Sequence, residues 1–156
     1  MTDIALIWSN DSFSGDIALV EGRLVTDDGL RTAIELSLFT DARARHDDVL
    51  PDPGGDPRGW WGNAFAAEAD AGDAFELGSR LWLLDREKLT AATIERARTY
   101  AAEALAWLKD RGVVSALTVT AARLGDQTLA IAVTVDRPEG PARQVFDFTW
   151  EASLAV

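Results

Sequence analysis

The sequence contains no cysteine, which excludes disulfides, thiolate catalysis and cysteine-based zinc sites. It has a single histidine, His46, so no histidine cluster can assemble within one chain. No apolar run approaches the ~18 residues needed to cross a bilayer. The N-terminus, Met1-Thr2-Asp3-Ile4, carries an acid and no basic stretch, so it does not read as a secretory signal. The expectation is a protein made in the cytosol that leaves it only as part of a larger particle. Positive charge is also scarce: 15 Lys and Arg face 26 Asp and Glu, a net charge of −11. A field of that sign opposes nucleic acid and anionic membranes, so neither is expected as a partner.

What is present suits a soluble fold. Apolar residues make up 47% of the 156 positions and charged residues 26%. A chain of this length fits one domain, 1–156, and can bury roughly 70% of its unfolded surface.

Three stretches follow one another. In the first, Ile4, Leu6 and Trp8 alternate as in a half-buried strand, and Asn10-Asp11-Ser12 and Ser14-Gly15 break it. Asp16–Val20 and Arg23–Thr26 flank Glu21-Gly22, a plausible tight hairpin. Asp28 is placed to cap a helix carrying Leu30, Ala33, Ile34, Ser37 and Leu38, which ends between Thr40 and Ala44. The second stretch, 46–78, reads as a long irregular loop. Its run from Asp47 to Pro57 holds three prolines and two glycines, which rules out a helix or a central strand there. Ordered domains seldom carry such a loop without a use for it.

The third stretch is regular. Arg80-Leu81-Trp82-Leu83-Leu84 fits a strand or one helical turn. Thr90 caps a long helix to about Arg111, with Ile94, Ala97, Ala101, Ala104, Leu105 and Leu108 as its apolar stripe. Gly112 follows as its C-terminal glycine, and Lys109 and Arg111 suit the helix dipole. Three strands come next. The first covers about 114–122; Leu129, Ile131, Val133 and Val135 share a face of the second, and Gln144, Phe146, Phe148 and Trp150 a face of the third. Turns at Gly125-Asp126 and Pro138–Pro141 make the sheet antiparallel. The predicted class is α+β: an antiparallel sheet with two main helices packed against it.

Candidate chemistry is sparse. His46 lies beside Asp47 and Asp48, but neighbouring loop side chains rarely converge on one ion, and a surface histidine is the plain reading. Asp47, Asp48, Asp52 and Asp56 lack the order of a calcium loop. A glycosidase needs two carboxyls roughly 5–10 Å apart, and among so many acids the sequence singles out no pair. Nucleophile-elbow, phosphate-loop and dinucleotide motifs are missing, so no catalytic residue, metal or cofactor is assigned.

Trp60-Trp61 stands out. Burying one Trp removes up to ~250 Å² from water, at ~25 cal/mol per Å² up to about 6 kcal/mol. Two exposed neighbours would forgo most of that, so the pair is expected to be covered by its own chain or by a partner. An outward Trp is a hot-spot candidate.

Several ordered motifs resemble the Mu-like phage baseplate protein family. They are Ser37-Leu38-Phe39-Thr40-Asp41-Ala42-Arg43-Ala44, Asp47-Asp48 with Leu50-Pro51, and Arg58-Gly59-Trp60-Trp61-Gly62. Further along come Gly78 through Lys88 and Glu103-Ala104-Leu105-Ala106-Trp107-Leu108. That family is similar to the small, lysozyme-like wedge subunit of contractile tails. The resemblance implies a non-enzymatic structural piece of a virion tail baseplate, assembled in the host bacterial cytoplasm. Its partners would be other baseplate wedge proteins, with sheath or hub subunits as further candidates. The label lysozyme-like keeps a cell-wall glycosidase as the rival reading. The broader wedge group carries a Glu-Pro-Arg docking motif. Here the nearest strings are Asp85-Arg86-Glu87 and Arg137-Pro138-Glu139, so that site is not carried over. The two densest motifs instead nominate Arg58, Trp60, Trp61, Arg80 and Trp82 as partner-binding residues, with the arginines able to grip carboxylates internally or across an interface.

Overall fold

The structure, a computed structural model, describes residues 3–27, 30–69, 76–138 and 143–151. Its centre is the C-terminal half. Strands β7 (Ala116–Arg123), β8 (Thr128–Asp136) and β9 (Arg143–Glu151) form an antiparallel sheet in the order β7-β8-β9. The register aligns Val119 with Val133 and Val133 with Phe146, and places Ile131 opposite Phe148 and Leu129 opposite Trp150. Leu129, Ile131, Val133 and Val135 are fully buried, as the period-two pattern predicts.

That face is covered by helix α3 (Ala91–Asp110) and helix α1 (Arg31–Phe39). Thr90 caps α3 by accepting the Thr93 N–H, and Gly112 follows with φ +69. Its stripe of Ala97, Ala101, Ala104, Leu105 and Leu108 is buried, while Ile94 is half-buried. Alanines on this face let α3 sit close to the sheet. The Trp107 indole N–H donates to Ser37 Oγ and ties α3 to α1. Helix α1 ends at Phe39, one residue before the expected window. The expected cap, Asp28, lies outside the described residues. Asp27 instead accepts the Thr32 N–H and does that work. The Pro138–Pro141 turn also reaches beyond the described residues.

The N-terminal part is a set of antiparallel ribbons: β1 (Asp3–Ile4) with β6 (Thr26–Asp27), β2 (Leu6–Ser9) with β3 (Ser14–Ile17), and β4 (Leu19–Val20) with β5 (Arg23–Leu24). Glu21 and Gly22 both have positive φ, 49° and 75°, the turn geometry that matches strand twist in a two-residue hairpin. Ser14 and Gly15 do not break the chain; they pair with Ser9 and Trp8. Trp8 holds the ribbons to the body. It stacks on Phe39 with ring centroids 3.6 Å apart, and its Nε1 donates to Thr149 O.

The segment 46–78 is not irregular throughout. Its proline-rich half is, but Gly62–Ala69 forms helix α2. The sequence hides it because alanines give no apolar period, although they favour helix. Leu81–Leu84 resolves as a short 3₁₀ turn, buried on all four residues.

Candidate docking surface

One short pairing builds the site. Asp41 and Ser79 form a parallel bridge: the Ala42 N–H donates to Ser79 O, and the Ser79 N–H to Thr40 O, each at 2.8 Å. Ser79 Oγ donates to Leu38 O at 2.6 Å. The approach is close enough to demand glycine at 78. Its φ is +120°, and a Cβ there would lie 2.7 Å from the Ala42 nitrogen.

Two arginines secure this junction from opposite sides. Arg80 is only 9% exposed. Its Nη1 donates to both oxygens of Asp48, at 2.8 and 3.0 Å, and its Nη2 to Glu103 Oε2, while the guanidinium stacks on Tyr100 at 4.5 Å. Burial on its own raises the Asp48 pKa, but the Arg45 N–H and the Arg80 guanidinium more than offset it, and the carboxyl ends below its ordinary value. Burial likewise lowers Arg80, and the hydrogen bonds it donates to Glu103 and Asp48 carry it back above the usual arginine value. Arg58, on the other side, has φ +53°. Its Nη1 pairs with Asp41 at 2.8 Å, its Nη2 lies 3.8 Å from Asp85, and its guanidinium covers Trp82 at 4.5 Å. Trp82 is buried and donates from Nε1 to Ala42 O at 2.8 Å.

The five nominated residues therefore separate. Arg80 and Trp82 are buried and bonded within the chain. Arg58 is half-exposed at the rim. Trp60 and Trp61 are 38% and 74% exposed, so their own chain does not cover the pair. The Trp60 ring folds over the start of α2, where a Cβ at position 62 would lie only 2.4 Å from it; Gly62 makes that room. Trp61 contacts Trp60 and Phe65, with centroids 5.8 and 5.9 Å apart, and Phe65 is itself 63% exposed.

Sequence reasoning missed Phe65, although its i, i+4 spacing from Trp61 was a usable signal once α2 is known. The segment is anchored at several points. Asn63 makes a two-way clamp with the Leu77 backbone, Ala44 N–H donates to Pro57 O, and Arg43 Nη1 donates to Arg58 O at 3.4 Å. The result is a contiguous aromatic patch on a fixed base.

The candidate ion ligands disperse. His46 is 97% exposed, with Nδ1 3.9 Å from Asp47. Asp48 pairs with Arg80, Asp52 with Arg86, and Asp56 accepts the Arg58 N–H. Among the described residues, no three His, Asp or Glu side chains gather as metal ligands. Nor is any helix of those residues long and apolar enough to cross a membrane.

Comparison with known proteins places this architecture. The chain is 48% identical over 140 residues to the baseplate protein gp46 of Escherichia phage Mu, covering 90% of each. It is 36% identical over 151 residues to the Mu-like prophage FluMu protein gp46 of Haemophilus influenzae, covering 96% of this chain and 98% of that one. The family model described as phage protein GP46 matches residues 30–142, which run from the first residue of the α1 region past β8 and take in the whole docking surface. This chain belongs to the phage protein GP46 family.

Proposed function

We propose that the chain is a structural wedge subunit of a contractile tail baseplate, working by protein–protein assembly. The observation that carries this is the patch of Trp60, Trp61 and Phe65. Apolar rings at 38%, 74% and 63% exposure leave a large favourable burial unrealised, and the Asn63 clamp on the Leu77 backbone ties their segment to the body. A rigid aromatic anchor loses little entropy on docking, which is how hot spots gain affinity. The phage Mu relative, a baseplate protein, supplies the setting. The partners are other wedge proteins, with sheath or hub subunits as further candidates. Copies arranged around a ring would let weak single contacts add through multivalency.

The glycosidase reading has less behind it. The carboxyl whose pKa is raised, Glu35, is pushed up by burial, which fits a general acid in direction. Yet it is 0% exposed and sits 2.9 Å from Arg31, out of reach of a sugar.

The test is affinity purification of the tagged chain from cells producing tails. Wild type should bring down baseplate proteins, and Trp61→Ala with Phe65→Ala should lose them while remaining folded. Recovery of the same partners by the double variant would refute the proposal. Release of reducing sugar from peptidoglycan by the pure chain, abolished by changing one carboxylate, would establish the rival.

A further inference from the structure

The docking surface carries a cation, Arg43, that meets no carboxylate among the described residues. The arginines nearest to it in the fold, Arg45, Arg58 and Arg80, each sit within ion-pair distance of a carboxylate. Arg43 does not, among the described residues, although the chain carries an excess of eleven negative charges. Its only hydrogen bond there is the long one to Arg58 O, at 3.4 Å, and its side chain is exposed. Arg43 and Trp61 line the same open groove, together with Arg58, Trp60 and Glu76. Outside the groove, Arg45 shares Glu103 with Arg80, so two guanidiniums divide one carboxylate. Among its described lining residues the groove sets Arg43 and Arg58 against Glu76, Arg58 being already paired with Asp41, and its apolar wall is aromatic.

We propose that this groove takes a peptide segment of a partner protein that carries a carboxylate side chain beside a bulky apolar one. The carboxylate meets Arg43, whose forked donors match it geometrically. The apolar side chain covers Trp61 and Phe65. Glu76 sets a limit: a uniformly acidic stretch would be repelled at that wall, so one or two acids flanked by apolar residues fit best. Charge complementarity favours this occupant over a second copy of the chain, whose net charge of −11 opposes self-association. This inference rests on the docking reading above and specifies its chemistry.

The experiment is selection of random displayed peptides on the immobilised full chain, followed by fluorescence anisotropy with the selected peptides. Enriched sequences should carry Asp or Glu within a few residues of Leu, Phe or Trp. Exchanging the acid for its amide should weaken binding about tenfold, the scale of one charge-assisted hydrogen bond. Arg43→Glu and Trp61→Ala should each weaken it at least about tenfold, with Arg43→Lys in between. Because both side chains are exposed, circular dichroism should show each variant folded. Enrichment of neutral or basic peptides, enrichment of none, or indifference to Arg43→Glu overturns the proposal. So does tighter binding of a single-stranded oligonucleotide. Neutral peptides that still depend on Trp61 would remove the acidic occupant and leave the docking surface standing. Failure to recover baseplate proteins from cells would remove the assembly role and leave the peptide result standing.

Discussion

Arg80→Met tests how much the ion pairs of Arg80 with Asp48 and Glu103 stabilise the fold. The substitution keeps most of the apolar stem but removes both donors to Asp48 and the donor to Glu103. Asp48 and Arg80 side chains are each 10% exposed, so Asp48 is left as a nearly buried charge. Breaking such a pair from one side costs about 3–5 kcal/mol, because the remaining charge stays desolvated. The Arg45 N–H still reaches Asp48 Oδ2 at 2.7 Å, which points to the low end, about 3 kcal/mol. Urea unfolding reads this directly. With a slope of about 2 kcal/mol per M, the midpoint should fall by about 1.5 M.

The pH dependence carries a second check. The folded-state pKa of Asp48 lies below the ordinary aspartate value of 3.8, so the stability it contributes is complete above that value and is lost as pH falls through the lower folded pKa. The gap between wild type and Arg80→Met should therefore be widest near pH 7 and shrink below pH 4. Adding Asp48→Asn to Arg80→Met should recover part of the loss. A loss under about 1 kcal/mol, or a gap unchanged from pH 7 to pH 3, would refute the reasoning.

Two further outcomes follow from burial. Trp82→Ala removes a ring that is 5% exposed, and should cost about 3–5 kcal/mol, whereas Trp61→Ala, at 74% exposed, should shift stability by no more than about 0.5 kcal/mol in thermal or urea unfolding. Glu35→Gln should be at least as stable as wild type at neutral pH. Burial raises the folded-state pKa of Glu35, so the ionised form weakens the fold as pH rises above the ordinary glutamate value of 4.5, and the advantage of Gln should vanish below it.

How much of this could be read in advance depended on the range of the interaction. The α3 helix with its Thr90 cap follows from spacing and end signals within one element, and so does the buried face of β8. The Glu21-Gly22 hairpin needed only two residues able to take positive φ. Helix α2 was missed because its alanines carry no amphipathic pattern. Ser14-Gly15 was misjudged because pairing with β2 outweighed turn propensity. Arg58, Trp60, Trp61, Arg80 and Trp82 were grouped because they crowd two motifs, and that grouping could not say which faced outward.

The sequence by itself determined the class: α+β, an antiparallel sheet under two main helices, because periodicity and capping act over a few residues at a time. Tertiary structure alone decided the surface. Trp82 and Ala42 stand forty positions apart and meet only through the bridge between Asp41 and Ser79. That meeting sinks Arg80 and Trp82, lifts Trp61 and Phe65, and leaves Arg43 facing a groove. Burial and ion pairing depend on which distant groups arrive together, and no local pattern encodes that.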